Sequence, residues 1–164
     1  MANTGNAAPG TAGAPGTGPA PDISNMTPRE QFDRLHDRVV GAAERNDTTT
    51  VIRFWPMASG AYDRLPASDR DPDARYHMAA LHLLVGQFPA ALALSDTILA
   101  ASPNNLTGYY IRGLAAEFQA DTAAARIAKA AFRTNFDAEI GKPQPEYTHH
   151  RPLLDQYLRS IGSN

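Results

Sequence analysis

Apolar side chains recur every three to four residues in seven runs along this chain, separated by short polar turns. That spacing is the signature of amphipathic helices with one buried stripe. The first run opens at Thr27-Pro28-Arg29-Glu30. Thr27 suits an N-cap, Pro28 the first helical position, and Glu30 completes a capping box. Phe32, Leu35, Val39 and Ala42 then line one face, and Asn46-Asp47 ends the run with Asp47 free to cap the next. Val51, Ile52, Phe54, Trp55 and Ala58 give the second helix a broad apolar side. Pro56 predicts a kink or an early stop there, because it lacks an N–H and its ring meets the preceding turn. Ser59-Gly60 closes this hairpin, which spans 27–62.

A polar loop, 66–72, leads into helices predicted over 73–85, from Pro89 to about Ser102, over 106–119 and over 122–135. Residues 137–146 carry Gly141, Pro143 and Pro145 and read as a loop, followed by a last helix over 151–161. The stretch 73–137 contains an internal echo. Tyr76 and Tyr110, Ala79 and Gly113, Ala91 and Ala125, and Ile98 and Phe132 all stand at one constant offset. Gly86-Gln87-Phe88 falls against Ala120-Asp121-Thr122 at that same offset. A fixed period of about 34 residues marks stacked helical hairpins. The hairpin at 27–62 has the size of a diverged first unit, although its turn at Asn46 lies further from Gly86 than one period. The polar loop accounts for the excess.

These residues resemble the tetratricopeptide repeat family, whose pattern is W-x2-L-G-x2-Y, then A-x3-F, then P. In the first copy Ala79 fills the Gly position, and Ala91 and Pro103 match; Arg75 and His82 replace the Trp and Tyr. In the second, Tyr109, Gly113 and Ala125 fit, while Arg112, Ala116 and Asp137 depart. The resemblance implies an all-α, right-handed array of about three hairpins, with the C-terminal helix as a cap. It also implies a concave groove lined by the first helix of each hairpin. By position the lining is Tyr76, Ala80, Leu83, Tyr110, Leu114 and Glu117, with Thr107 at its edge. Family members that grip a C-terminal carboxylate use Lys, Arg and Asn there. Apolar and aromatic residues stand here instead, which suits an amphipathic helix or an extended apolar peptide. The alternative occupant is the chain's own C-terminal helix or the 143–147 loop.

Composition narrows the picture further. Residues 1–25 are rich in Ala, Gly, Pro and Thr, carry their first charge at Asp22, and read as a disordered tail or tether ahead of a repeat domain over 26–164. Such linkers suit anchored bacterial envelope proteins, with a cytoplasmic location as the alternative. No secretory leader is legible at the start, and no apolar run nears the roughly 20 residues of a membrane span. The net charge of −2 favours neither nucleic acid nor an anionic membrane. Thirteen Arg against two Lys are scattered among acidic residues. The absence of Cys removes disulfides, thiolate metal ligands and Cys nucleophiles.

No catalytic constellation is legible, and neither a cofactor nor a metal is expected. Ser95 and Ser102 belong to an ordinary helix. Asp69, Asp71 and Asp73 read as a solvated cluster beside Arg70. His149 and His150 are adjacent and point apart on a regular helix; Glu146 lies four residues before His150, but a third ligand is wanting. His82 reads as a packed, hydrogen-bonded histidine. Three Asn-x-Thr sequons, at Asn25, Asn46 and Asn105, double as helix caps.

Two functions follow as expectations. One is a non-enzymatic protein–protein interaction module or scaffold that holds a partner's apolar or amphipathic segment in the groove. The other is a structural subunit that self-associates, or packs into a larger membrane-linked bacterial assembly, through Trp55, Tyr62 and the terminal helix.

Overall fold

The computed structural model describes residues 25–162. The tail expected over 1–25 lies outside the described residues except for Asn25. The described chain is all helical: α1 (Pro28–Glu44), α2 (Thr48–Asp63), a 3-10 turn (Ala67–Asp69), α3 (Pro72–Leu84), α4 (Phe88–Ala101), α5 (Leu106–Phe118), α6 (Thr122–Glu139) and α7 (Pro145–Gly162). Chain neighbours pack as hairpins, α1 on α2, α3 on α4 and α5 on α6. α3 also touches α1 and α5, and α7 reaches α3, α5 and α6.

Local chemistry sets the boundaries. Thr27 and Glu30 form the capping box at α1, and Asp47, Asp71, Asn105 and Asp121 each accept N–H groups from the first turn of the helix they precede. The three hairpin turns are built alike. Asn46, Gly86 and Ala120 take positive φ angles of 58°, 74° and 55°. The following N–H then reaches back across the helix end: Asp47 N to Ala42 O, Gln87 N to His82 O, and Asp121 N to Ala116 O, each at 2.8–2.9 Å. This is the Schellman arrangement, which satisfies carbonyls that the helix end leaves open. The helix starts keep the period of the sequence echo: Leu106 follows Pro72, and Thr122 follows Phe88, at the offset that separates Tyr110 from Tyr76.

Three expectations about boundaries change. Pro56 sits inside α2, which continues past Ser59-Gly60 to Asp63. Ile52, whose carbonyl Pro56 leaves without an intrahelical donor, lies on the solvent face, where water can serve it. α6 runs on to Glu139, because Phe136 extends its buried stripe beyond Phe132. α7 starts at Pro145 rather than Arg151, since Pro at a first helical turn sacrifices no hydrogen bond. Pro152 falls inside α7, and the backbone at His150 leaves helical geometry (φ −109°, ψ 15°). A proline ring displaces the carbonyl four residues back, so a kink just before it has a direct cause.

The core has three adjoining clusters. Phe32, Leu35, Val39, Phe54, Met78 and Leu81 fill the space between α1, α2 and α3. Tyr76, Ala79, Ala91, Ile98, Ile111 and Ala115 fill that between α3, α4 and α5. Leu106, Phe132, Phe136, Tyr147, Leu154 and Tyr157 join α5, α6 and α7. Small residues permit the closest crossings. A methyl on Gly108 would stand 2.7 Å from Leu99 Cγ, and one on Gly113 would collide with the Tyr157 hydroxyl.

Candidate functional site

α7 lies across the face presented by α3 and α5, the face that the resemblance assigns to a peptide. Leu153 packs on the middle cluster, beside Tyr76, Leu83, Ala80, Tyr110 and Leu114. Tyr110 meets the Tyr157 ring edge-on at 4.8 Å, and Tyr76 meets the His150 ring at 4.5 Å. Tyr76 and Leu83 are buried, and Ala80, Tyr110 and Leu114 are half-buried. Thr107 is fully buried, its hydroxyl donating to Asn105 Oδ1. Glu117 stands apart, exposed and paired with Lys129 at 2.5 Å. The occupant weighed for this face, the terminal helix, is therefore the one seated there. Tyr62 is buried against Phe32, and Trp55 is half-buried with its ring against His82.

Polar groups gather where α1, α3 and the first turns of α7 meet. Asp73 is 1% exposed. Its Oδ2 accepts from Arg29 Nη2 at 2.7 Å, and Arg29 also grips Asp33 and Asp71 at 2.9 Å. Asp73 is therefore no member of a solvated loop cluster. It occupies the first turn of α3, where the Arg29 side chain arrives from α1 to meet it. Arg70 turns away and donates to the Leu65 and Asp63 carbonyls. The other oxygen, Asp73 Oδ1, has no hydrogen bond; His150 Nε2 stands 3.3 Å from it and His77 Nε2 3.9 Å. The two imidazole nitrogens face each other at 3.0 Å.

The surroundings complete this locus. His77 Nδ1 lies 3.4 Å from Asp33 Oδ1. His36 stacks on His77 at 4.1 Å between ring centres. His149, on the solvent side, brings its Nδ1 to 3.5 Å from Asp73 Oδ2. Burial alone would raise the Asp73 pKa, but the close His150 imidazole and the charges of His77, His150 and Arg29 outweigh it and hold the carboxyl at about 2. Burial lowers the pKa of His36, against a smaller pull from Asp37. Glu146 is 1% exposed and pushed up by burial; it accepts from Asn105 Nδ2 at 2.9 Å.

Asp73, His77 and His150 are thus three potential metal ligands whose donor atoms all lie within 4.8 Å of one another. The ligands wanting around Glu146 and His150 come from α3, which supplies two of the three. Their sequence signal is Asp73-x3-His77, an i,i+4 pair sharing one helix face. The adjacent His149 and His150 both approach Asp73 because the chain kinks between them and Pro152. His82 makes the expected hydrogen bond, to Gln87 at 2.8 Å, from a half-buried position. Elsewhere, a cleft of about 730 Å³ between α5, α6 and the end of α7 is lined by Arg126, Lys129 and Arg133 together with Glu117 and Asp121, and holds none of the three potential metal ligands. Among the described residues no helix is long and apolar enough to cross a membrane. No protein-family model matches the sequence, and no curated protein or solved structure matches it.

Proposed function

We propose that this chain is a non-enzymatic, tetratricopeptide-like interaction module, and that the face of α3 and α5 recognises an amphipathic helix. One observation supports the reading above others: α7 is itself such a helix, anchored on that face by Leu153 and Tyr157. Helix-in-groove recognition uses this kind of spaced apolar and aromatic anchor. A partner segment would take the place of α7, so affinity for it is reduced by the fraction of time α7 stays seated.

A labelled peptide of residues 145–162 tests this in trans. A chain carrying Leu153→Asp and Tyr157→Ala, which unseat α7, should bind the peptide by fluorescence anisotropy. The intact chain should bind at least about tenfold more weakly. Adding Tyr110→Ala to the unseated chain should abolish binding while circular dichroism keeps its helical signal. Failure of the unseated, still helical chain to bind would remove the groove reading.

A further inference from the structure

We propose that Asp73, His77 and His150 form a binding site for one divalent transition-metal ion of the zinc class, which fastens α7 to α3. The donor atoms are Asp73 Oδ1, His77 Nε2 and His150 Nε2. Their separations of 3.0, 3.3 and 3.9 Å bracket the edge of about 3.4 Å that a tetrahedral zinc site imposes on ligands roughly 2.1 Å from the ion. Each atom has a reason to be available. Arg29 occupies Asp73 Oδ2 and leaves Oδ1, nearly shut off from water, without a hydrogen bond. Asp33 lies beside His77 Nδ1, which favours the tautomer with its proton there and the Nε2 lone pair directed to the ion. His150 Nε2 faces His77 Nε2 at 3.0 Å, and a hydrogen bond between them would leave Asp73 Oδ1 unserved. An ion would instead satisfy both nitrogens and the orphaned oxygen together.

Charge and ligand type set the class of ion. Asp33, Asp71 and Asp73 surround the single guanidinium of Arg29, an excess of negative charge that a divalent cation offsets. Two imidazoles with one carboxylate suit zinc, cobalt, nickel or ferrous ions rather than calcium or magnesium, which take all-oxygen shells. His149, exposed beside Asp73, stands at the solvent side of the site. Two ligands come from one helical turn of α3 and the third from the kink in α7. Binding therefore ties α7 down at the end opposite Tyr157. The site requires α7 to be seated as described, so a partner that displaced α7 would also carry His150 out of it.

The test is titration of the full chain, after chelator treatment, with zinc chloride by calorimetry and with cobalt chloride by visible absorption. The expected result is one ion per chain, an intense d–d absorption of low-coordinate cobalt, and a melting temperature that rises with zinc concentration. His77→Gln and His150→Gln should each remove the cobalt band. Their affinity loss should exceed the roughly 10- to 100-fold expected for Asp33→Asn, which alters only an outer partner. His82→Gln should leave the stoichiometry and the band intact. His150→Gln lies at a half-buried kink and serves if His77→Gln misfolds. Absence of zinc binding by the intact chain, or equal binding and an unchanged cobalt spectrum in a helical His150→Gln chain, would overturn the proposal.

Discussion

Upstream of its kink, α7 meets α3 through polar groups, with His149 and His150 at 3.5 and 3.3 Å from the Asp73 carboxylate. Downstream, it meets α5 and α6 through rings, with Tyr157 edge-on to Tyr110 at 4.8 Å and to Phe132 at 4.9 Å. Both ends of one helix are held on one face by different physics. The apolar end depends on area and shape, which change little with pH or salt. The polar end depends on each buried group finding a partner, so deleting one leaves another uncompensated. The two ends should therefore fail in different ways.

The largest expected effect is at the apolar end. Tyr157→Ala should cost about 3–5 kcal/mol in urea unfolding, as for other large aromatic truncations in a core. Tyr157→Phe should be nearly neutral, because the buried hydroxyl has no hydrogen bond to lose. A large cost for the Phe variant would show that the hydroxyl, not the ring, anchors α7. At the polar end, Arg29→Ala should cost about 2–3 kcal/mol, less than the loss typical of breaking a fully buried pair, since Arg29 is partly in water. The loss should shrink in an Arg29→Ala, Asp73→Asn double variant, where no buried charge is stranded. Unchanged additive losses would mean that the two side chains act independently.

A gentler lesion of the apolar end is Gly113→Ala. Its methyl points at the Tyr157 hydroxyl and should cost about 1–3 kcal/mol by overpacking. Hydrogen exchange should then quicken in 153–161 before it does in 28–44.

The smallest effect is acid sensitivity confined to the polar end, measured in chelator-treated protein. Asp73 is held at about 2, below its ordinary value, so the stability it contributes is complete above about pH 5 and is lost as pH falls towards 2. His36 is lowered by burial, so the unfolded chain takes up its proton first and stability already declines below about pH 6.5. Glu146, raised by burial, works in the opposite direction. Asp73→Asn should flatten the lower part of the profile, and Tyr157→Phe should leave its shape unchanged. An unaltered slope in Asp73→Asn would assign acid lability elsewhere.

Most of the helices are legible in the order of residues, and so are their starts, because caps and stripes are local. Thr27 with Glu30, Asp47 and Asn105 act on N–H groups two or three residues away. The echo between 73–101 and 107–135 is legible for the same reason: each hairpin repeats the same turn and the same small buried residues. The full extent of α7 is not. Gly141, Pro143 and Pro145 signal a loop, yet the helix begins at Pro145, and its first turns carry Glu146, Tyr147 and His150.

The order of residues thus suffices for an all-helical chain with paired helices, a stripe of apolar residues on each, and no cysteine chemistry. It does not suffice to seat α7 on the α3–α5 face or to bring Arg29, Asp73, His77 and His150 together; three-dimensional packing does both. The difference is one of range. Helix formation is decided within about four residues. The separation of 73 positions from His77 to His150 is closed only by packing, and packing depends on every core side chain at once.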